Sequence, residues 1–196
     1  MLASITPLGE RGRGRRWPRT TTAYATASTA GGALAGGLAG TVGAAAMGQW
    51  RAPTVALIAA AVVCLVSAAI DLAGRTLPGP RRQVDETWLL RYRGWVYGAG
   101  FGFQLGLGVV TVVTTAAVYA VIALAVLTGS PLGGALVGAA FGVARALPLL
   151  ATAPVDTPAR LRAMHRQLDD WRPRAHHAAV ITQAALALGA LVWVAR

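Results

Sequence analysis

"GGALAGGLAG" occupies residues 31–40 and "GGALVGAAFG" occupies 133–142; the two agree at six of ten places, four of them glycine. Composition offers one explanation, since 24 of the 196 residues are glycine and alanine is more frequent still. Position offers another. Both stretches lie inside long apolar runs, where small residues spaced four apart let helix backbones approach closely.

The runs around them set the class. Hydrophobic residues make up 55% of the chain and charged ones 13%, with a mean hydropathy of +0.54, well to the apolar side of soluble domains. Crossing the hydrocarbon takes about 20 apolar residues per helix, and five stretches qualify: 21–47, 53–73, 97–127, 132–153 and 175–195. The expectation is an all-α, polytopic membrane helix bundle with about five transmembrane helices. The third stretch is too long for one straight crossing, and its opening "YGAGFGFQLGLG" carries five glycines, so it is read as kinked, re-entrant or broken into half-helices.

All 18 basic residues are arginine, and their placement orients the bundle. Arg11, Arg13, Arg15, Arg16 and Arg19 precede the first span. Arg75, Arg81, Arg82, Arg91 and Arg93 follow the second, and Arg160, Arg162, Arg166, Arg172 and Arg174 follow the fourth. The other two loops, "GQWRAP" and "TGSP", hold one arginine and none. Short arginine-rich loops stay on the cytoplasmic side, which predicts a multi-pass protein of the cell membrane, N-terminus cytoplasmic and C-terminus outside. This pattern accounts for the net charge of +11 without nucleic acid; the lipid bilayer is the partner it calls for, with anionic head groups as a secondary one. Within the last basic loop, Leu161, Met164 and Leu168 share one side of a short interfacial helix.

In this orientation the two glycine-rich stretches lie in spans one and four, three crossings apart, so the repeat is inverted in the membrane as in many transporters. The chain divides into half-repeats 1–93 and 94–196. The second half holds three spans and the first only two, preceded by "MLASITPL". That stub is expected to pack as a helix end against the glycine-rich part of span three, and an upstream in-frame extension to add about 10 to 15 apolar residues and complete a span.

Three stretches resemble the transmembrane thiol-disulfide carriers of the CcdA and DsbD class, within the lysine-exporter-like group: "SITPLG" at 4–9, "FGFQLGLGVVT" at 101–111 and "FGVARALPLL" at 141–150. The resemblance implies an inverted three-plus-three bundle in a bacterial inner membrane. It does not extend to the chemistry, because Leu8 and roughly Val112 stand where that family has its reactive cysteines, and Thr111 replaces a proline. The single Cys64 lies in an apolar run, and disulfide exchange needs a thiolate and a disulfide sulfur.

Ionisable and polar residues at membrane depth are the functional candidates. Arg145 stands three residues before the helix-kinking Pro148; it either snorkels and caps freed carbonyls, binds a substrate anion, or meets a partner protein. Thr111, Thr114 and Thr115, read as one helical face, either back-bond to their own helix or, with Gln104, line a polar cleft at the repeat interface. Asp71 is either a counter-ion or an interfacial residue. His165, His176 and His177 are read as interfacial, since adjacent helical histidines point about 100° apart and no metal-ligand spacing completes a site. No nucleophile–base or carboxylate pair supports an enzyme, and no cofactor or metal is expected. The sequence thus favours a transporter-like protein binding or moving a small solute, with a non-transporting scaffold or subunit, paired with another membrane protein or with itself, as the alternative.

Overall fold

The computed structural model describes residues 5–47, 52–75, 77–79, 87–110 and 113–196. Among the described residues eight helices run in chain order: α1 (Pro7–Gly12), α2 (Trp17–Met47), α3 (Pro53–Leu72), α4 (Trp88–Arg91), α5 (Gly94–Gly106), α6 (Ala117–Leu127), α7 (Pro131–Leu150) and α8 (Pro158–Val194). No strand occurs among the described residues. Proline opens α1, α3, α7 and α8, where its missing N–H costs nothing and its fixed φ suits the first turn. Thr6, Ser130 and Thr157 add side-chain caps, accepting from the backbone N–H of Gly9, Gly133 and Arg160. Thr6-Pro7 is therefore the start of a short helix and not a kink within a span.

The two glycine-rich stretches pack on each other. Methyl groups built at Gly32 and Gly36 of α2 would overlap the carbonyl oxygens of Gly138 and Gly134 of α7, and methyls at Gly138 and Gly134 would overlap those of Gly32 and Gly36. Gly40 meets Ser130, and Gly142 meets Ser28, in the same antiparallel register. A second face of α2 takes α5 in parallel register, with Gly98, Gly102 and Gly106 against the carbonyls of Thr20, Tyr24 and Ser28. Ser28 joins the three helices, and its hydroxyl donates to the Gly142 carbonyl at 2.8 Å. A second seam runs between α3 and α8, where Cys64, Ala61 and Ala187 cluster with Leu124 of α6. The principal seams join residues of 1–93 to residues of 94–196.

Among the described residues three helices, α3, α7 and α8, are long and apolar enough to cross a membrane, and α6 is a shorter apolar helix. This is coarser than five apolar spans. The stretch 21–47 lies in α2, whose glycines serve close backbone contact with α5 and α7, a use that does not require strong apolarity. The stretch 97–127 divides into α5 and α6, with non-helical backbone at 113–115. Gly108, at φ +80°, follows the end of α5 in the left-handed conformation that glycine adopts without strain. The basic loop and the last span are one continuous 37-residue helix, α8, running through Pro173 with no separate interfacial helix. At about 1.5 Å per residue α8 is longer than the roughly 30 Å hydrocarbon is thick, so part of it projects.

Residues 5–8 pack where the glycine-rich α5 meets the end of α7. Ile5 is fully buried in one cluster with Tyr97 and Phe101 of α5 and Leu149 of α7. Its carbonyl accepts from the Thr152 hydroxyl at 3.2 Å, and the Leu8 N–H donates to Val155 at 3.0 Å. Residues 1–4 of the stub lie outside the described residues.

Candidate functional site

The break between α5 and α6 leaves backbone groups that hydrocarbon cannot satisfy, so such a break is stable only where protein partners or a cavity receive it. Here Asp71, in the last turn of α3, supplies the partners. Its Oδ1 accepts from the Ala116 N–H at 2.7 Å, and its Oδ2 accepts from the Thr115 hydroxyl at 2.7 Å. The Thr115 oxygen in turn accepts from the Ala117 N–H at 3.2 Å, and Gln183 of α8 donates its amide to Asp71 Oδ2 at 3.0 Å. Asp71 is thus buried, tying α3, α6 and α8 together. Thr114 and Thr115 lie in non-helical backbone and share no helical face. Thr115 bonds across to another helix, whereas threonine on an intact helix would back-bond to its own carbonyls.

On its other side the break borders a cavity of about 430 Å³. Thr114, Thr115, Arg145 and Pro148 all line it, with Tyr24 of α2, Leu105 of α5 and Ile5 among the walls. Gln104 is on α5 but does not line the cavity, whose wall there is its neighbour Leu105. Thr111 and Val112 lie outside the described residues. Arg145 is half-buried, with its guanidinium 5.5 Å from the centre of the Phe141 ring one turn earlier. A cation over an aromatic face gains about 0.5–2 kcal/mol, which steadies the group without neutralising it. No carboxylate pairs with Arg145 among the described residues. Pro148 sits within α7, beside the cavity.

A second polar cluster closes the same end of the bundle and was not legible from spacing. Glu10 of α1 is fully buried. It accepts from Arg13 at 2.8 Å, from the Thr20 hydroxyl at 2.6 Å and from the Tyr97 hydroxyl. Arg13 and Arg15 stand over the Tyr97 ring at 5.9 and 5.1 Å, and Arg15 also donates to the Leu89 carbonyl at 2.8 Å. Burial alone disfavours the Arg13 charge, but the hydrogen bond to Glu10 and the nearby Tyr97 outweigh it and hold the guanidinium pKa above its ordinary value. The loop arginines Arg13 and Arg15 therefore pin α1 onto α5 in addition to any role in orientation. No group of three or more histidine, cysteine, aspartate or glutamate side chains that could hold a metal ion occurs among the described residues. Cys64 is a buried free thiol.

No family profile and no solved structure matches the chain. Methylamine utilization protein MauF of Paracoccus versutus is 30% identical over 190 residues, covering 94% of this chain and 67% of that protein. The chain belongs to the MauF family. At 94% coverage the match to MauF runs across both halves of the chain.

Proposed function

We propose that this MauF-family protein is a polytopic membrane protein that binds or moves a small anionic solute in the service of methylamine utilization, at the cavity between α2, α7 and the α5–α6 break. One observation carries the reading: Arg145, on a helix long and apolar enough to cross a membrane, lines a cavity of about 430 Å³, and no carboxylate pairs with it among the described residues. An uncompensated cation in a low-dielectric setting is costly and marks an intramembrane site. It also favours an anion, such as a small carboxylate, over methylammonium. A discontinuous span bordering the cavity supports the same reading, because transporters commonly form substrate sites from broken helices.

The architecture we infer has five crossings, N-terminus inside and C-terminus outside, with α2 and α7 as inverted copies and a scaffold like that of the CcdA and DsbD carriers without their thiol chemistry. The contact pattern supports it. Swapping the two glycine-rich stretches exchanges the Gly32–Gly138 contact for Gly36–Gly134, and Gly40–Ser130 for Ser28–Gly142, and all four occur. Parallel α2 and α5 with antiparallel α7 is also what alternate crossings require.

A scaffold role is the second reading, favoured by the N-terminal half of α8, where Arg166, Trp171, Arg172 and Arg174 are all exposed as a partner-docking arm would be. Uptake and binding of small carboxylates by purified protein in vesicles separates the two. Saturable binding that Arg145→Ala abolishes and Arg145→Lys partly restores is the expected result. Absence of binding by every small anion, with capture of a methylamine-utilization protein through α8, would favour the scaffold.

A further inference from the structure

The charge of Asp71 is balanced by nothing the cavity needs. Asp71 is 6% exposed, and the three groups that donate to it, the Thr115 hydroxyl, the Ala116 N–H and the Gln183 amide, are all neutral. His176 of α8 is close enough for its charge to act on Asp71, but no arginine or histidine forms an ion pair with it among the described residues. Two buried polar atoms on α8 and α3 have no partner among the described residues: Gln183 Oε1 and Ser67 Oγ, on residues each 5% exposed. Gln183 Oε1 belongs to the amide whose nitrogen lies 3.0 Å from Asp71 Oδ2, so it is held beside the carboxylate. Ser67 lies one turn before Asp71 on α3, on the same face, along the seam where α3 meets α8. An unpaired buried polar atom costs about 1–3 kcal/mol; the Gln183 oxygen held beside a carboxylate with no ion-pair partner, and a free hydroxyl one turn away on the same face of α3, call for a ligand.

We propose that Asp71, Gln183, Ser67 and Thr115 form a binding site for a monovalent metal cation of sodium size. Hard cations take oxygen ligands, and these four side chains supply a carboxylate, an amide carbonyl and two hydroxyls. One carboxylate matches one positive charge, which selects a monovalent ion over calcium or magnesium. Asp71 Oδ1 is committed to the N-terminus of α6, which leaves Oδ2, between Thr115 and Gln183, as the oxygen for the ion. A cation there displaces the Gln183 amide nitrogen, and rotation of the amide brings Oε1 in as a ligand. Thr115 also lines the cavity, so the ion and a solute share one residue. The site stands whether or not the cavity takes a solute.

The test measures binding of radiolabelled sodium to the full chain purified in detergent, with thermal unfolding followed in sodium chloride and in choline chloride at equal ionic strength. Saturable sodium binding and a higher midpoint in sodium are expected. Ser67→Ala removes a hydroxyl with no protein partner, so it folds normally and lowers sodium affinity about tenfold, equivalent to about 1.4 kcal/mol. Asp71→Asn abolishes binding, and Arg160→Ala, an exposed change, leaves it as in the parent. The proposal is overturned by equal midpoints in sodium and choline, or by Ser67→Ala with the parent's sodium affinity. The second criterion decides the matter even if Asp71→Asn fails to fold; stabilisation by acid alone, with no sodium response, would assign Asp71 to a proton.

Discussion

Gly36→Ala is the sharpest perturbation of the α2–α7 seam. On an isolated helix the change stabilises by about 0.5–1 kcal/mol, because alanine loses less backbone entropy than glycine. Here the added methyl would overlap the Gly134 carbonyl oxygen and lie 2.9 Å from the Gly138 Cα and N. These are backbone atoms of a rigid helix, so no side chain can swing aside, and the helices must separate. Opening a packed seam by roughly 0.5–1 Å forfeits a quarter to a half of each dispersion contact along it. Between helices in lipid, where the hydrophobic effect gives little, such contacts are a main source of association. Overpacking of this kind costs about 1–3 kcal/mol, which leaves a net destabilisation of about 1–2 kcal/mol and a fall in Tm of about 2–8 °C for a chain this long. Gly37→Ala is the internal comparison: its methyl would lie 3.6 Å from the Ala135 Cβ, an ordinary contact, so only the entropic gain remains and Tm rises. The assay is thermal unfolding in detergent, followed by tryptophan fluorescence. A Gly36→Ala protein as stable as Gly37→Ala would refute the close seam. Because the helices need separate only once, Gly36→Ala with Gly134→Ala should cost less than the sum of the single changes.

Glu10→Ala strips Arg13, Thr20 and Tyr97 of a shared acceptor and should destabilise by about 3 kcal/mol, read as a lower Tm and faster proteolysis at α1; an unchanged Tm would mean the cluster contributes nothing. Cys64→Ala should leave whatever solute binding the parent shows intact, because the thiol is buried against Ala61 and Ala187, and complete loss of binding would reveal a thiol role. A reporter fused to the C-terminus should behave as external and one fused to the N-terminus as cytoplasmic; a cytoplasmic C-terminus would remove the inverted-repeat argument.

Much of this protein was legible in its residues because it depends on local pattern. Apolar run lengths gave the all-α class. Glycines at 98, 102 and 106, ahead of further glycine at 108, marked span three as interrupted, since so many missing side chains weaken a straight helix. Thr114, Thr115, Arg145 and Pro148 stood out because polar or kinking residues in apolar runs are costly, and the folded chain brings all four to one cavity wall. Other features had no local signature. Gln104 and Leu105 are adjacent, and only the rotation of α5 against its neighbours put Leu105 on the cavity wall instead. Glu10 read as one charge in a basic loop until α1 folded onto Tyr97 and Thr20. Asp71 finds its partners 44, 45 and 112 residues further along the chain, and no spacing rule relates them. The doubled glycine stretch shows both sides of the division. Its spacing announced a close helix contact, because a missing Cβ is a property of the sequence. That each copy is the other's partner was decided by the fold, because only antiparallel packing of α2 on α7 sets Gly32 and Gly36 against Gly138 and Gly134 with nothing but backbone between them.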